Sequence, residues 1–467
     1  MDRRAFLSAG ATTALALGLP ATAHASSRPR PAPGDTALLR RWFAATYRSI
    51  EAMTTEFGLA ADKLDVVTAG ATPSRQTSPT NIGCGLWSTV AARGLGVISA
   101  KRAARRLAAA VEAVERLERF AGFWANWYDA YDGSLLTTWP ESGDPVRPFL
   151  STVDNAWLVT GLMIAADAEE SLRPRIARLL ADADWSFFYT PYDEENPDAE
   201  PGQLRGGVWT DTGEPTAHHY GALNTEPRMA SYLGIGDGTL PPEHYWHLLR
   251  TMRPEHEQQQ KPGGEYTEVD GVRVWNGHYT YRGRRVLPSW GGSMFEALMV
   301  PLFVPEAEWS PRAWGVAHER YVRSHIEHGL AAENYGYWGF SPASVPEGGY
   351  SEYGVDEIGM LVGGYRSHGV VTPHASFLAL QQAPGEAVAN LAAMARDFDV
   401  YDEAYGFRDS IDVRSGVVSD VILVLDQGMI AAAIAQHLRP GLLQRPFRTG
   451  GFTDRVRPLL ERERFTL

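Results

Sequence analysis

A single cysteine, Cys84, among 467 residues excludes an intramolecular disulfide framework. Its setting, Asn81-Ile82-Gly83-Cys84-Gly85-Leu86-Trp87, reads as that of a small buried hydrophobe and not of a nucleophile. Positive charge is also short. Lys and Arg total 43 against 56 Asp and Glu, a formal net charge of -13, which argues against nucleic acid or an anionic membrane surface as the partner and fits a neutral substrate. Past the N-terminal segment no apolar run is long enough to span a bilayer. No Pro/Gly/Ser-rich linker or charge block divides the chain after a short tether at residues 26–34, so one large domain is expected over 35–467. The thirteen histidines include His218-His219 and the pair His244 and His247, but no His-Glu-x-x-His pattern and no Cys/His cluster, so neither a metal nor another cofactor is expected. A Gly-x-Ser-x-Gly nucleophile elbow and a phosphate-binding loop are missing as well.

The first 25 residues read as an export signal. Arg3 and Arg4 precede an apolar stretch from Ala9 to Leu19, and Ala23-His24-Ala25 supplies the small residues of a cleavage site. The paired arginines point to the twin-arginine route, in a shortened form of that signal. An exported protein cleaved near Ala25 is the expectation.

What the chain has in quantity is aromatic side chains, 14 Trp and 19 Tyr, many in glycine-rich, turn-like surroundings such as Trp124, Trp127, Tyr128 and Tyr131, or Tyr335, Tyr337 and Trp338. Flat rings beside carboxylates suit stacking on the C–H face of a sugar ring. Apolar periodicity predicts helices over 35–58, 84–94, 99–118, 152–167, 171–183, 226–234, 241–252, 293–302, 309–331, 372–382, 384–397 and 427–438. Ser99 is placed to cap the third, and Pro311 falls in the first turn of a helix starting near Ser310. Val269 to Val274 reads as a hairpin in an inserted loop. A dozen helices joined by long aromatic loops describe an all-α ring of helical hairpins with its site at one mouth.

Glu226 stands between a polar, aromatic approach (His218, His219, Tyr220, Asn224) and the apolar run Met229 to Ile235. A carboxyl at a helix mouth is partly buried, which raises its pKa toward the range of a general acid; a helix-start acid complementing the macrodipole is the plainer alternative. Asp154 lies three residues after Ser151 at the start of another helix, either a cap or a carboxylate aimed into the mouth.

Five further segments carry a resemblance. Trp290-Gly291-Gly292-Ser293-Met294-Phe295-Glu296 and onward to Met299, Tyr335 to Ser341, Val371 to Leu380, Tyr405 to Asp412 and Leu425 to Ile430 follow, in order, the pattern of the glucoamylase-like domain. That domain is shared by bacterial β-1,2-glucanases (glycoside hydrolase family 144 and relatives) and by part of the cyclic β-1,2-glucan synthases. The resemblance implies an (α/α)6 barrel and a glycosidase working with two carboxylates, and favours inversion, for which the carboxyl groups stand roughly 6.5–9.5 Å apart. Glu226 matches the acid of the family's Tyr-Asn-Glu-type segment, although this chain reads Asn224-Thr225-Glu226-Pro227. Asp154 matches the acid of the Ser-x-x-Asp segment, where Phe149, Leu150 and Trp157 leave apolar the positions at which relatives often carry another acid. Asp129, Glu296 and Glu352 are alternatives for the second carboxylate. Trp127, Tyr220, Trp290, Tyr337 and Trp338 are expected as sugar platforms, and His219, Arg228, Glu296 and Asp426 as hydrogen-bonding or orienting groups, Glu296 and Asp426 equally as buried acids closing helix networks. The expected partner is a carbohydrate, met by a monomer. A lyase, a transglycosylase and a non-catalytic glycan-binding protein are the competing readings.

Overall fold

The computed structural model describes residues 33–67 and 71–467; the export signal and most of the tether fall outside the described residues. Fourteen α-helices follow one another: α1 (Pro33–Met53), α2 (Pro79–Gly94), α3 (Ala100–Arg116), α4 (Thr152–Ala168), α5 (Arg173–Leu180), α6 (Arg228–Asp237), α7 (His244–His247), α8 (Met294–Leu298), α9 (Glu306–Trp309), α10 (Trp314–Glu327), α11 (Pro373–Leu378), α12 (Pro384–Asp397), α13 (Val424–Leu438) and α14 (Arg457–Arg462). Six of them, α2, α4, α6, α8, α11 and α13, are buried along nearly their whole length. They form an inner ring, while α1, α3, α5, α10 and α12 pack outside it. This is the (α/α)6 arrangement, and among the described residues no sheet closes on itself.

Composition explains the division. The inner helices α4 and α13 are apolar all round, as a helix covered on every side must be. By contrast α3 buries only Ala103, Leu107, Val111, Ala113 and Val114, a stripe at helical spacing, and turns its arginines outward. The inner ring is tight: at Gly161 a Cβ would stand 2.7 Å from the Cα of Gly83, so α4 and α2 touch backbone to backbone. Between the inner helices the core is filled by rings, buried to 1% exposure or less. Trp87 of α2 meets Trp157 of α4 with centroids 6.1 Å apart, and both pack on Phe303, at 5.0 and 5.7 Å. The Trp87 indole also donates to the Gly428 carbonyl of α13, 3.0 Å away.

Short antiparallel ladders lead into the inner helices. Gln76–Thr77 pairs with Tyr128–Asp129 just before α2, Phe149–Ser151 with Gly207–Trp209 before α4, Val370–Val371 with Ile411–Asp412 before α11, and Val421–Leu423 with Lys63–Asp65 before α13. They fix where each helix starts.

Several sequence expectations need correction. Pro241 and Pro242 precede a single helical turn, α7, and the chain then extends so that Leu249 pairs with Ala222; the helix expected over 241–252 is shortened by that pairing. Pro311 lies in a turn held by the Ser310 carbonyl, which accepts from Ala313 and Gly315, so the helix expected over 309–331 starts only at Trp314, as α10, and ends in a π-helical turn over His328–Ala332. Helix α2 starts at Pro79, because Ser78 accepts from the Asn81 N–H as a cap. Ser99 caps α3 as expected. Val269 and Val272 close the hairpin between Gly263–Val269 and Val272–Tyr281, and Arg284–Val286 adds a third strand.

Candidate active site

All six inner helices start at the same face of the ring, and each carries a polar residue in or just before its first turn: Asn81, Asp154, Glu226, Glu296, His374 and Asp426. Helix N-termini carry partial positive charge, which favours acids there. Convergence of these N-termini therefore concentrates carboxylates in one mouth.

Glu226 occupies the turn before α6. Thr225 and Glu226 carbonyls accept from Arg228 and Met229, Thr225 Oγ1 donates to the Ala222 carbonyl at 2.7 Å, and Asn224 Nδ2 donates to the Leu287 carbonyl at 3.0 Å. Behind it the Leu223 N–H donates to the Leu249 carbonyl at 2.9 Å and the Leu249 N–H to the Gly221 carbonyl at 2.7 Å. The backbone is thus fixed while the carboxyl is not: Glu226 Oε2 is buried and has no hydrogen-bond partner in the protein. Burial first, then the neighbouring Glu296 charge, push its pKa up to about 8, with Arg228 opposing and Asp154 adding to the rise. A carboxyl that holds its proton near neutral pH is suited to donate it.

Asp154 sits in the first turn of α4, whose cap Ser151 accepts from the Asp154 N–H at 3.2 Å. Its Oδ1 accepts from Thr80 Oγ1 of α2 at 2.6 Å. The Tyr220 hydroxyl lies among the same groups: burial, then the charges of Glu226 and Asp154, raise its pKa. Tyr365 is likewise raised by burial and by Glu296, Glu226 and Glu352. The structure therefore brings together Glu226, Asp154, Glu296, Tyr220 and Glu352, with Trp290, 38% exposed, on the rim beside Gly291.

Glu296 is engaged within its own turn. It receives Ser289 Oγ at 2.7 Å, Ser293 Oγ and N–H at 2.9 Å, and the Gly291 N–H at 3.0 Å, and forms a capping box with Ser293. Burial pushes its pKa up and these donors pull against it. Asp426 is buried with His374, whose Nδ1 stands 2.9 Å from Asp426 Oδ2. Burial and then the Asp62 charge push Asp426 well above the usual carboxylate range; burial and the Asp426 charge do the same for Asp409.

Five expected substrate contacts are corrected. Arg228 is 1% exposed and spends its donors on the protein: Nε and Nη2 on Glu306 at 2.7 and 3.0 Å, the rest on the Thr225, Glu296 and Ala297 carbonyls. No N–H is left for a sugar. Trp338 is 2% exposed within the core, as are Trp124 and Tyr128 at 0%. Tyr337 packs on Phe398 and donates to Asp397 at the end of the outer helix α12. Asp129 is buried and neutralised by Arg75, whose Nε and Nη2 lie 2.7 and 2.6 Å from Oδ2, so it does not serve as a second carboxylate. Trp127 remains half-exposed, edge to face with Trp139 at 5.4 Å, in the loop leading to α4. His219 is turned away from Glu226, its Nε2 3.0 Å from Thr190 Oγ1. Cys84 is buried and its thiol pushed far up by burial.

Sequence reasoning missed Thr80, Asp62, His374 and Tyr365. Thr80 and His374 follow prolines at helix starts, Pro79 and Pro373, and that shared Pro-at-N1 signal could have placed both at the mouth. Tyr365 comes from a loop with no periodic mark. Among the described residues no group of three or more His, Cys, Asp or Glu is arranged to hold a metal ion, and no helix is long and apolar enough to cross a membrane.

Comparison with known proteins gives the following. Residues 254–450 match the Glycoamylase family model, described as "Putative glucoamylase". The cyclic β-(1,2)-glucan synthase NdvB of Rhizobium meliloti is 28% identical over 307 residues, 62% of this chain; the chain spans only 9% of that protein's length. An endo-β-1,2-glucanase from Chitinophaga pinensis, solved with sophorotriose and glucose, superposes with a TM-score of 0.64 at 14% identity, over 92% of this chain and 97% of that one. An endo-β-1,2-glucanase mutant from Talaromyces funiculosus, solved with β-1,2-glucan, gives 0.68 at 15% identity, over 93% and 91%. Over residues 254–450 the chain thus matches a glucoamylase-like family model, and it is similar in sequence to part of a cyclic β-1,2-glucan synthase and folded like the endo-β-1,2-glucanases.

Proposed function

We propose that the protein is an exported, monomeric glycoside hydrolase that cleaves a β-1,2-linked glucan, with Glu226 as the proton donor and Asp154 as its ionised partner. The observation that carries this reading is the Glu226 carboxyl: fixed in backbone, raised in pKa to about 8, and with a buried oxygen that nothing in the protein satisfies. In the reaction Glu226 gives its proton to the departing glycosidic oxygen. Water attacks the anomeric carbon and loses a proton to Asp154, whose Oδ1 is steadied by Thr80. The glucan is suggested by the proteins this chain resembles, one a β-1,2-glucan synthase and two solved with β-1,2-linked sugars. Export is supported by the Arg3-Arg4 signal and the Ala23-His24-Ala25 site.

The test is incubation of the purified protein with linear β-1,2-glucan beside other polysaccharides, with products and their first-formed anomer followed by NMR. Short β-1,2-linked oligosaccharides of inverted configuration are expected. Retained configuration would overturn the water-attack scheme, and cleavage of a different polysaccharide alone would overturn the substrate. Transfer of the cleaved chain to a second sugar is the competing reading, favoured by the similarity to a synthase, and would appear as products longer than the substrate. Glu352, whose charge acts on Tyr365 alongside those of Glu226 and Glu296, is the alternative partner. Asp154→Asn and Glu352→Gln compared for turnover and binding decide between them.

A further inference from the structure

A second cavity lies behind the strand that carries Tyr220. His219 alternates with His218 and Tyr220, whose rings meet at 5.5 Å, and so points to the opposite side, where it lines a cleft of about 510 Å³. The cleft opens between two β insertions, the hairpin Tyr189–Tyr192 with Pro201–Leu204 and the turn between Val269 and Val272, with the segment after α7 as its floor. Its size falls within the range of ligand pockets, roughly 300–1,000 Å³.

Its lining is built. The Tyr192 ring lies stacked on His247, centroids 4.2 Å apart and 23° from parallel, and Tyr192 is still 42% exposed. One face is therefore seated while the other is free. That seat depends on residue 202: a Cβ there would stand 2.9 Å from the His247 ring and 3.1 Å from Tyr192 Cβ. Gln203 Nε2 holds the His247 carbonyl at 2.8 Å, and Trp275 is fixed by its indole donating to Thr251 at 2.9 Å. Trp246, on the floor, is 3% exposed, and its indole N–H is buried with no acceptor in the protein. A buried donor without an acceptor asks for a ligand oxygen or a water.

The charge pattern selects the ligand class. Glu194 and Asp198 face Arg253 and Arg273 across the cleft, so formal charge cancels. His219 is pushed down to about 4, by burial first and then by Arg205, and His247 is lowered by burial; at neutral pH both rings are uncharged hydrogen-bonding groups. An anionic ligand gains nothing from such a site. A neutral polyhydroxylated chain, with an apolar C–H face for Tyr192 and hydroxyls for the indole and carboxylates, gains on every side.

We infer that this cleft is a second oligosaccharide site, which holds a remote stretch of the same neutral glucan while another stretch occupies the mouth. The inference rests on the glucan reading above. The experiment is isothermal titration of the Glu226→Gln protein with a short linear β-1,2-gluco-oligosaccharide, then of Glu226→Gln with Tyr192→Ala added, with Tyr192→Phe as the variant that keeps the stacking ring. Two sugars per protein are expected for Glu226→Gln and for the Tyr192→Phe form, and one for the Tyr192→Ala form. With long glucan the Tyr192→Ala form should bind about threefold to tenfold more weakly. A single sugar per protein in every form, or no difference with long glucan, overturns the site, and so does the absence of any binding. A Glu226→Gln protein that still turns over glucan removes the catalytic assignment while the stoichiometry is still decided by titration.

Discussion

Glu226 ties chemistry to pH in two ways whose signs differ in origin. As the proposed proton donor it must be protonated, so turnover should decline as pH rises through about 8. Stability follows the same direction through linkage. Its pKa is about 8 in the folded protein against an ordinary 4.5, so between those values the native state binds more protons than the unfolded chain, and the advantage is lost as pH rises through 8. Glu226→Gln should therefore reduce turnover by about 10²- to 10⁴-fold and remove this pH dependence. Thermal melts of the two proteins at pH 6 and pH 9 check the second point: the substituted protein should gain relative to wild type at pH 9. Equal pH dependence would mean that Glu226 is not the buried acid described above.

Among the elements, α6 and α8 depend on one buried ion pair. Arg228, at the first position of α6, reaches the Glu296 and Ala297 carbonyls of α8 and is neutralised by Glu306 of α9, which also receives the Tyr232 hydroxyl at 2.8 Å. Burial works against the Glu306 charge, yet Arg228 together with His318, whose Nε2 lies 3.1 Å from the carboxylate, outweighs it and brings the pKa to about 2. Arg228→Ala leaves that carboxylate buried without its partner and should cost about 3–5 kcal/mol, measured by urea unfolding. A loss below about 1 kcal/mol would show that the pair does not hold the ring. Lysine should restore little, since it cannot reproduce the forked contacts.

Which elements could be read in advance follows from the same physics. Helices whose apolar faces and caps agree, such as α3 with Ser99 and α4 with Ser151, were legible. Where a tertiary partner competes they were not: Leu249 leaves a helical pattern to pair with Ala222 behind Glu226. At the site, Glu226 and Asp154 were legible because acids at helix starts have few positions to occupy. Trp338 and Arg228 were misplaced because a ring beside a glycine, or a cation at a helix start, looks alike in sequence whether it faces solvent or core. Only packing separates the two, and Trp338 packs inward, its own N–H donating to Asn390 Oδ1 and its carbonyl accepting from Ser376 Oγ and Asn390 Nδ2.

For the whole molecule, the end of the chain acts as a clasp. Glu463 Oε2 accepts from the buried Arg250 at 2.6 Å and from the Tyr245 hydroxyl at 2.7 Å, Phe465 packs on Trp314, and Thr466 bonds His278. Removing residues 463–467 strands the Arg250 charge and should cost at least about 3 kcal/mol, visible as a lower melting temperature. Glu463→Gln, which keeps the packing, isolates the charge contribution, and a truncated protein as stable as the parent would refute the clasp.

The rings of Trp87, Trp157 and Phe303 between the inner helices set the topology of any encounter with a polymer. A barrel stoppered beneath its mouth is a bowl and not a tunnel, so no chain can be threaded through it from an end. A strand must settle across the rim from the side and depart the same way. For the glucan proposed above, a closed loop of sugars, having no end to offer, would then be as admissible to such a bowl as an open one.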